Sequence, residues 1–333
     1  MAERDLNSKR VLSGATAIIR LSDIEAKLQE LESDDAVLLS GSVEQVPEET
    51  VDIAPGGDEN LHDKFGLSTR LDDSQATCRV LAFFGAKGGA GTTSLAINCA
   101  SVAASQGHSV LLVDMDLQLG AACDSLGLKS QRSLAQAAKM VGRGEDISGF
   151  PFVKHESGVH VIDQPDLAEL DALTADSLPR VFAAFRRQFD FIVIDGLRDF
   201  TDHAIVSLDQ ADRVAVVFTQ DVPAIRGAIK SLALFRRLGY GAGSMTLVMN
   251  RYKKTDAATL DAVEAALGAR VDWFMPDDFD TAHNALNRGV TVTQTEPDTK
   301  LGQTMVDFGR FLKGMPPLER KKSLFAKMFG RSK

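Results

Sequence analysis

Three glycines crowd into the run Ala86-Lys87-Gly88-Gly89-Ala90-Gly91-Thr92-Thr93-Ser94. Such a run lets the backbone approach an anion closely. A helix opening at its end turns free N–H groups and a positive dipole end toward that anion. Set against the P-loop pattern G-x-x-x-x-G-K-[ST], the first glycine is Ala86, the last is Gly91, the lysine position holds Thr92 and the hydroxyl position holds Thr93. Acids stand at two other places. Asp114 and Asp116 follow one apolar run, and Asp195 closes another. Carboxylates so placed can hold waters around a cation or aim an attacking water. Mg²⁺ keeps several of its waters, so the Thr93 hydroxyl with Asp114 and Asp195 acting through water is a sufficient set. Taken singly, the loop also reads as an empty strand-to-helix turn and each acid as a helix cap. Their combination points to phosphate chemistry.

The elements that must position these residues are visible as short apolar runs at 80–84, 110–113, 159–162, 191–194, 214–218 and 245–249. Helical patterns at 94–105, 178–187, 224–238 and 257–267 separate them. Strands that are apolar throughout, rather than alternating, indicate a parallel sheet covered on both faces. The expected fold is therefore α/β: a doubly wound, mainly parallel sheet with helices on both faces, over residues 77–314. In such sheets ligands sit beyond the carboxyl ends of the strands, where the loop and the three acids fall.

Lys87-Gly88-Gly89-Ala90-Gly91, with a lysine ahead of the glycine pair, resembles the deviant Walker A motif of the ParA/MinD family of P-loop ATPases. Thr92 in place of the usual lysine, followed by Thr93-Ser94-Leu95-Ala96, resembles the CpaE/TadZ branch, as does Asp114-Met115-Asp116-Leu117-Gln118-Leu119-Gly120. That branch comprises pilus-assembly ATPases of Tad/Flp systems. The resemblance covers about 78–314. It implies ATP and Mg²⁺ as ligands and a homodimer that sandwiches two nucleotides. Lys87 would reach across the dimer into the partner's site, and Asp116 would orient the attacking water. Residues 88–94 would cradle the phosphates, with Asn250, Arg251, Pro276 and Asp277 around the adenine. The implied partners are a pilus or secretion ATPase and inner-membrane platform proteins. The implied place is the cytoplasm, peripheral on the inner face of the cytoplasmic membrane and at a cell pole. Two features depart from the branch. The acidic segment 1–76 is too short for a receiver-like domain, and Asp195-Gly196-Leu197-Arg198-Asp199-Phe200 lacks the usual proline. Alternatives are a scaffold that holds ATP without turnover, and a positioning ATPase for division, flagellar or other cargo. The G-x-G-x-x-G spacing of hydride-transfer enzymes is not met.

Charge is unevenly spread over the 333 residues, whose net is −9. Residues 1–76 hold 7 basic and 17 acidic groups, a net of −10, while 315–333 hold 6 basic and 1 acidic, a net of +5. The first segment, with one helical stretch at 22–31, reads as largely disordered. A near-neutral body argues against specific nucleic-acid binding. In the basic tail, a helix places Leu324, Phe325, Met328 and Phe329 within an arc of about 140°, with Lys327 and Arg331 outside it. That pattern suits an anionic membrane surface and resembles the membrane-targeting helix of MinD, although a solvated or docked tail fits it too. No run is apolar for long enough to span a bilayer. Residues 1–5 lack a secretory h-region, and Cys78, Cys99 and Cys123 are spaced as isolated thiols of a reducing cytoplasm.

Overall fold

The computed structural model describes residues 79–314, apart from 130–131, 166 and 255–256. The acidic segment and the amphipathic tail read from the sequence lie outside the described residues.

The strands are β1 (Arg79–Gly85), β2 (Val110–Asp114), β3 (Val153–Lys154), β4 (His160–Ile162), β5 (Phe191–Leu197), β6 (Arg213–Thr219), β7 (Met245–Tyr252) and β8 (Trp273–Pro276). They form one sheet in the order β3-β4-β2-β5-β1-β6-β7-β8, and every pairing is parallel except β3 with β4. The α-helices are α1 (Thr92–Ser105), α2 (Ala122–Ser125), α3 (Leu134–Gly142), α4 (Leu178–Phe185), α5 (Asp202–Asp209), α6 (Val222–Arg237), α7 (Ala257–Leu267), α8 (Phe279–Asn287), α9 (Val292–Thr295) and α10 (Lys300–Leu312). The doubly wound α/β architecture read from the sequence is the one observed.

Burial explains why the strands are apolar throughout. Val80, Ala82 and Phe84 of β1 face one core layer with α3, α4 and α6, while Leu81 and Phe83 face a second with α1 and α10. The first layer reaches the site through an aromatic cluster. The Phe235 ring lies 5.1 Å from both Phe84 and Phe200 and 5.4 Å from Tyr240, and it is fully buried. It thus ties α6 to the end of β1 and to the segment after β5. Truncating so large a buried ring leaves a cavity, and Phe235→Ala is expected to cost about 3–5 kcal/mol, read as a lower urea midpoint.

Three expectations shift. The first helix begins at Thr92 rather than 94, so both threonines belong to its first turn. Helix α6 runs Val222–Arg237 rather than 224–238, because Asp221 caps it by accepting the Ala224 N–H at 3.1 Å. Strands β3 and β8 were not anticipated. One has two residues, and the other has four and closes on Pro276.

Candidate functional site

The loop after β1 is shaped by its glycines and clipped from outside. Gly89 and Gly91 have φ of +77° and +86°, which side-chain-bearing residues rarely adopt. A Cβ on Gly91 would also stand 2.3 Å from the Asn250 amide nitrogen. That buried amide, at the end of β7, donates to the Ala90 carbonyl at 2.7 Å and accepts the Arg251 N–H at 2.9 Å. Asn250 therefore holds the loop in shape. Lys87 points to the rim, where its ammonium donates to Asp221 Oδ1 at 2.9 Å. Burial tends to raise the Asp221 carboxyl, but hydrogen bonds from Thr219, Lys87 and the Ala224 N–H hold it below the usual carboxylate range.

Asp114 and Asp195 are register neighbours on β2 and β5, each only 1% exposed. Asp114 accepts the Asp116 and Ala122 N–H groups, one on each oxygen and each at 3.0 Å. Burial and the nearby Asp195 charge nevertheless push it up to about 7. Burial pushes Asp195 up to about 6, against the Thr93 hydroxyl and the Gly196 N–H, which favour the charged form. Asp195 Oδ1 has no hydrogen-bond partner. A buried carboxylate oxygen left open beside a hydroxyl at a helix start is the chemistry of a Mg²⁺ site held partly through water, so these residues fit that ion. Among the described residues no three His, Cys, Asp or Glu side chains converge as direct metal ligands.

Asp116 sits higher, on the cavity wall. Its Oδ1 accepts Arg198 Nη2 and the Leu119 N–H, each at 3.1 Å, and the Gln118 N–H at 3.4 Å. Gly196 passes directly beneath, with φ +84°.

A cavity of about 410 Å³ collects these parts. Lys87, Gly88, Gly89, Ala90, Gly91, Thr92, Thr93 and Ser94 line it with Asp116, Asn250, Arg251, Pro276 and Asp277, so residues scattered over the sequence reach one space. Asp114 and Asp195 are buried and do not line it. Sequence reasoning gave no role to Arg198 or to Phe279, which also line the cavity. The Phe279 ring is 57% exposed and stacks on His283 at 5.0 Å, a flat rim beside the positions expected around an adenine. Its place two residues past Asp277, already expected around the adenine, was the available signal. Cys99 and Cys123 are buried free thiols, both pushed up to about 12, chiefly by burial, and neither lines the cavity.

A family model described as an AAA domain matches residues 78–239. The septum site-determining protein MinD of Thermotoga maritima is 23% identical over 71% of this chain and 88% of its own length. The chromosome-partitioning ATPase Soj of Thermus thermophilus is 28% identical over 67% of this chain and 90% of its own. The fold is shared with the solved septum site-determining protein MinD of Pyrococcus horikoshii, complexed with Mg-ADP. That structure has a TM-score of 0.59 and 18% identity, covering 70% of this chain and 95% of its own. Among the described residues no helix is long and apolar enough to cross a membrane. Loop, acids and strand order agree with these likenesses: this chain has the fold of the solved MinD and ParA-family ATPases and is similar in sequence to MinD and Soj over about two thirds of its length.

Proposed function

We propose that the chain is an ATP-binding switch of the CpaE/TadZ type that dimerises when ATP is bound. In this reading it acts as a spatial regulator and assembly factor of a Tad/Flp-type pilus or related secretion apparatus at the inner membrane, with slow or absent hydrolysis. The observation that carries the nucleotide reading is the buried Asp195 carboxylate beside Thr93, with one oxygen open, under a preformed glycine loop. The branch is supported by Thr92-Thr93-Ser94-Leu95-Ala96 and by the run from Asp114 to Gly120.

In this site the backbone N–H groups at the start of α1 face the phosphates and the Thr93 hydroxyl holds the metal ion. Bound Mg²⁺ supplies neutralising charge at the phosphate oxygens. Asp116 aims the attacking water. Lys87 exchanges Asp221 for the nucleotide of a second copy. Thr92 brings no ammonium, and losing one charge-assisted hydrogen bond costs about 1.5–3 kcal/mol, or about 10- to 100-fold in affinity or rate. Slow turnover follows. The segment 315–333, through Leu324, Phe325, Lys327, Met328, Phe329 and Arg331, is the proposed contact with anionic lipid, and two copies in a dimer raise its avidity.

The test is single turnover with protein in excess over labelled Mg·ATP, with and without anionic vesicles, alongside sedimentation of wild type and Lys87→Ala. Expected are bound ATP that converts slowly, an ATP-linked dimer, and loss of that dimer in the variant. A dimer indifferent to Lys87→Ala overturns the cross-site role, and absence of ATP binding overturns the whole reading. Similarity to MinD and Soj favours a second reading, a positioning ATPase for division or chromosome cargo. Co-purification with a pilus or secretion ATPase, rather than placement at the septum or nucleoid, separates the two.

A further inference from the structure

The cavity is poor in positive charge where a triphosphate needs it. Asp116 stands on its wall, with Asp114 and Asp195 buried below, while Thr92 is neutral and Lys87 is drawn away onto Asp221. Two arginines line the cavity: Arg251, next to Asn250 on β7, and Arg198, which is held against Asp116 among the acids.

Its backbone has little freedom. Leu197 on one side is buried, and Phe200 on the other packs 5.1 Å from Phe84 and from Phe235. The pairing of β1 with β5 shifts register between Ala82 and Phe84, opposite a bulge at Asp195 and Gly196 within β5, and that bend sets the segment carrying Arg198 over the cavity. A long side chain on a fixed base can swing without moving the fold. Its present partner binds it loosely, because the Arg198 side chain is 44% exposed and the same Asp116 oxygen is shared with two backbone N–H groups. A phosphate offers the planar guanidinium a bidentate and more highly charged acceptor.

We propose that Arg198 is the phosphate-binding cation of this site, supplying the charge that is missing at Thr92, and that Asp116 is its resting partner. A terminal phosphate draws the guanidinium off Asp116, and the freed carboxylate then faces water. The proposal rests on the nucleotide reading above, and it makes that site sense the third phosphate: ADP leaves the ion pair closed, ATP opens it.

The test measures equilibrium binding of Mg·AMPPNP and Mg·ADP to the full chain by calorimetry, for wild type, Arg198→Ala, Arg198→Lys and Asp116→Asn. Arg198→Ala is expected to weaken AMPPNP by about 10- to 100-fold, the range for one charge-assisted contact, while ADP affinity moves by less than about twofold. Arg198→Lys recovers part of the loss. Asp116→Asn binds AMPPNP at least as tightly as wild type, because it removes the competitor. If the pair merely braced the loop, Arg198→Ala and Asp116→Asn would weaken both nucleotides alike, and that result overturns the proposal. So does unchanged AMPPNP affinity in both Arg198 variants while wild type binds. Wild type that binds neither nucleotide instead overturns the reading beneath it.

Discussion

Gly196→Ala is expected to destabilise the chain by about 2–5 kcal/mol, from left-handed strain plus overpacking, and to abolish tight Mg·nucleotide binding. Gly196 has φ +84°, and an added Cβ would lie 2.3 Å from the Asp116 nitrogen and 2.8 Å from its Cβ. Neither neighbour can give way cheaply. Met115 donates to the Asp195 carbonyl at 2.9 Å, and Asp116 donates to Asp114 at 3.0 Å, so the segment overhead is tied to the strands on both sides. The methyl group would pry apart Asp114, Asp116 and Asp195 together. Urea unfolding and calorimetric titration read both effects. A variant that keeps wild-type affinity would show that the three acids need not hold their present spacing.

Asp195→Asn is expected to do the reverse to stability while removing the metal dependence. Burial lifts Asp195 to about 6 and Asp114 to about 7, so both hold their protons more tightly folded than unfolded. Their contribution to stability is therefore complete below about pH 4, the ordinary aspartate value, and is lost as pH rises through 6 and then 7. At pH 8 the nucleotide-free chain carries the full penalty. For Asp195 a shift of about two units is worth at most about 3 kcal/mol. The neutral amide escapes it, so the variant melts higher than wild type at pH 8 and close to it at pH 4. Mg²⁺ should then no longer tighten nucleotide binding. A variant that melts lower than wild type at pH 8, or that still responds to Mg²⁺, would contradict the assignment of Asp195 to the ion.

Much of the site was readable because its residue types are restrictive. Glycine at 89 and 91 is demanded by backbone conformation, and acids at the ends of fully apolar strands have few structural uses. What the sequence did not reveal depends on contacts between distant segments. That β5 lies between β1 and β2 follows from packing on two helical layers, and no local run encodes it. The grip of Asn250 on Ala90 joins positions 160 residues apart, and that of Lys87 on Asp221 joins positions 134 apart. Arg198 was legible as a basic residue past a strand, but its turn toward Asp116 requires the bend at Gly196. Helix α10 was hidden by Gly302 and Gly309, which weaken its helical pattern. Each is needed for closeness: an added Cβ would lie 2.0 Å from the Glu296 carbonyl oxygen at 302 and 3.0 Å from Val102 at 309.

The two outermost strands have a consequence for life at high local density. A sheet whose border shows a long row of unused N–H and C=O groups recruits other chains, and crowding on a surface makes this worse. Here one border is a two-residue antiparallel strap, β3, and the other is the four-residue β8, sealed by Pro276, which has no N–H to offer. Neither is long enough to template a neighbour's strand. Copies gathered side by side are thereby steered away from fibrous aggregation, and reversible assembly is left to faces made of side chains.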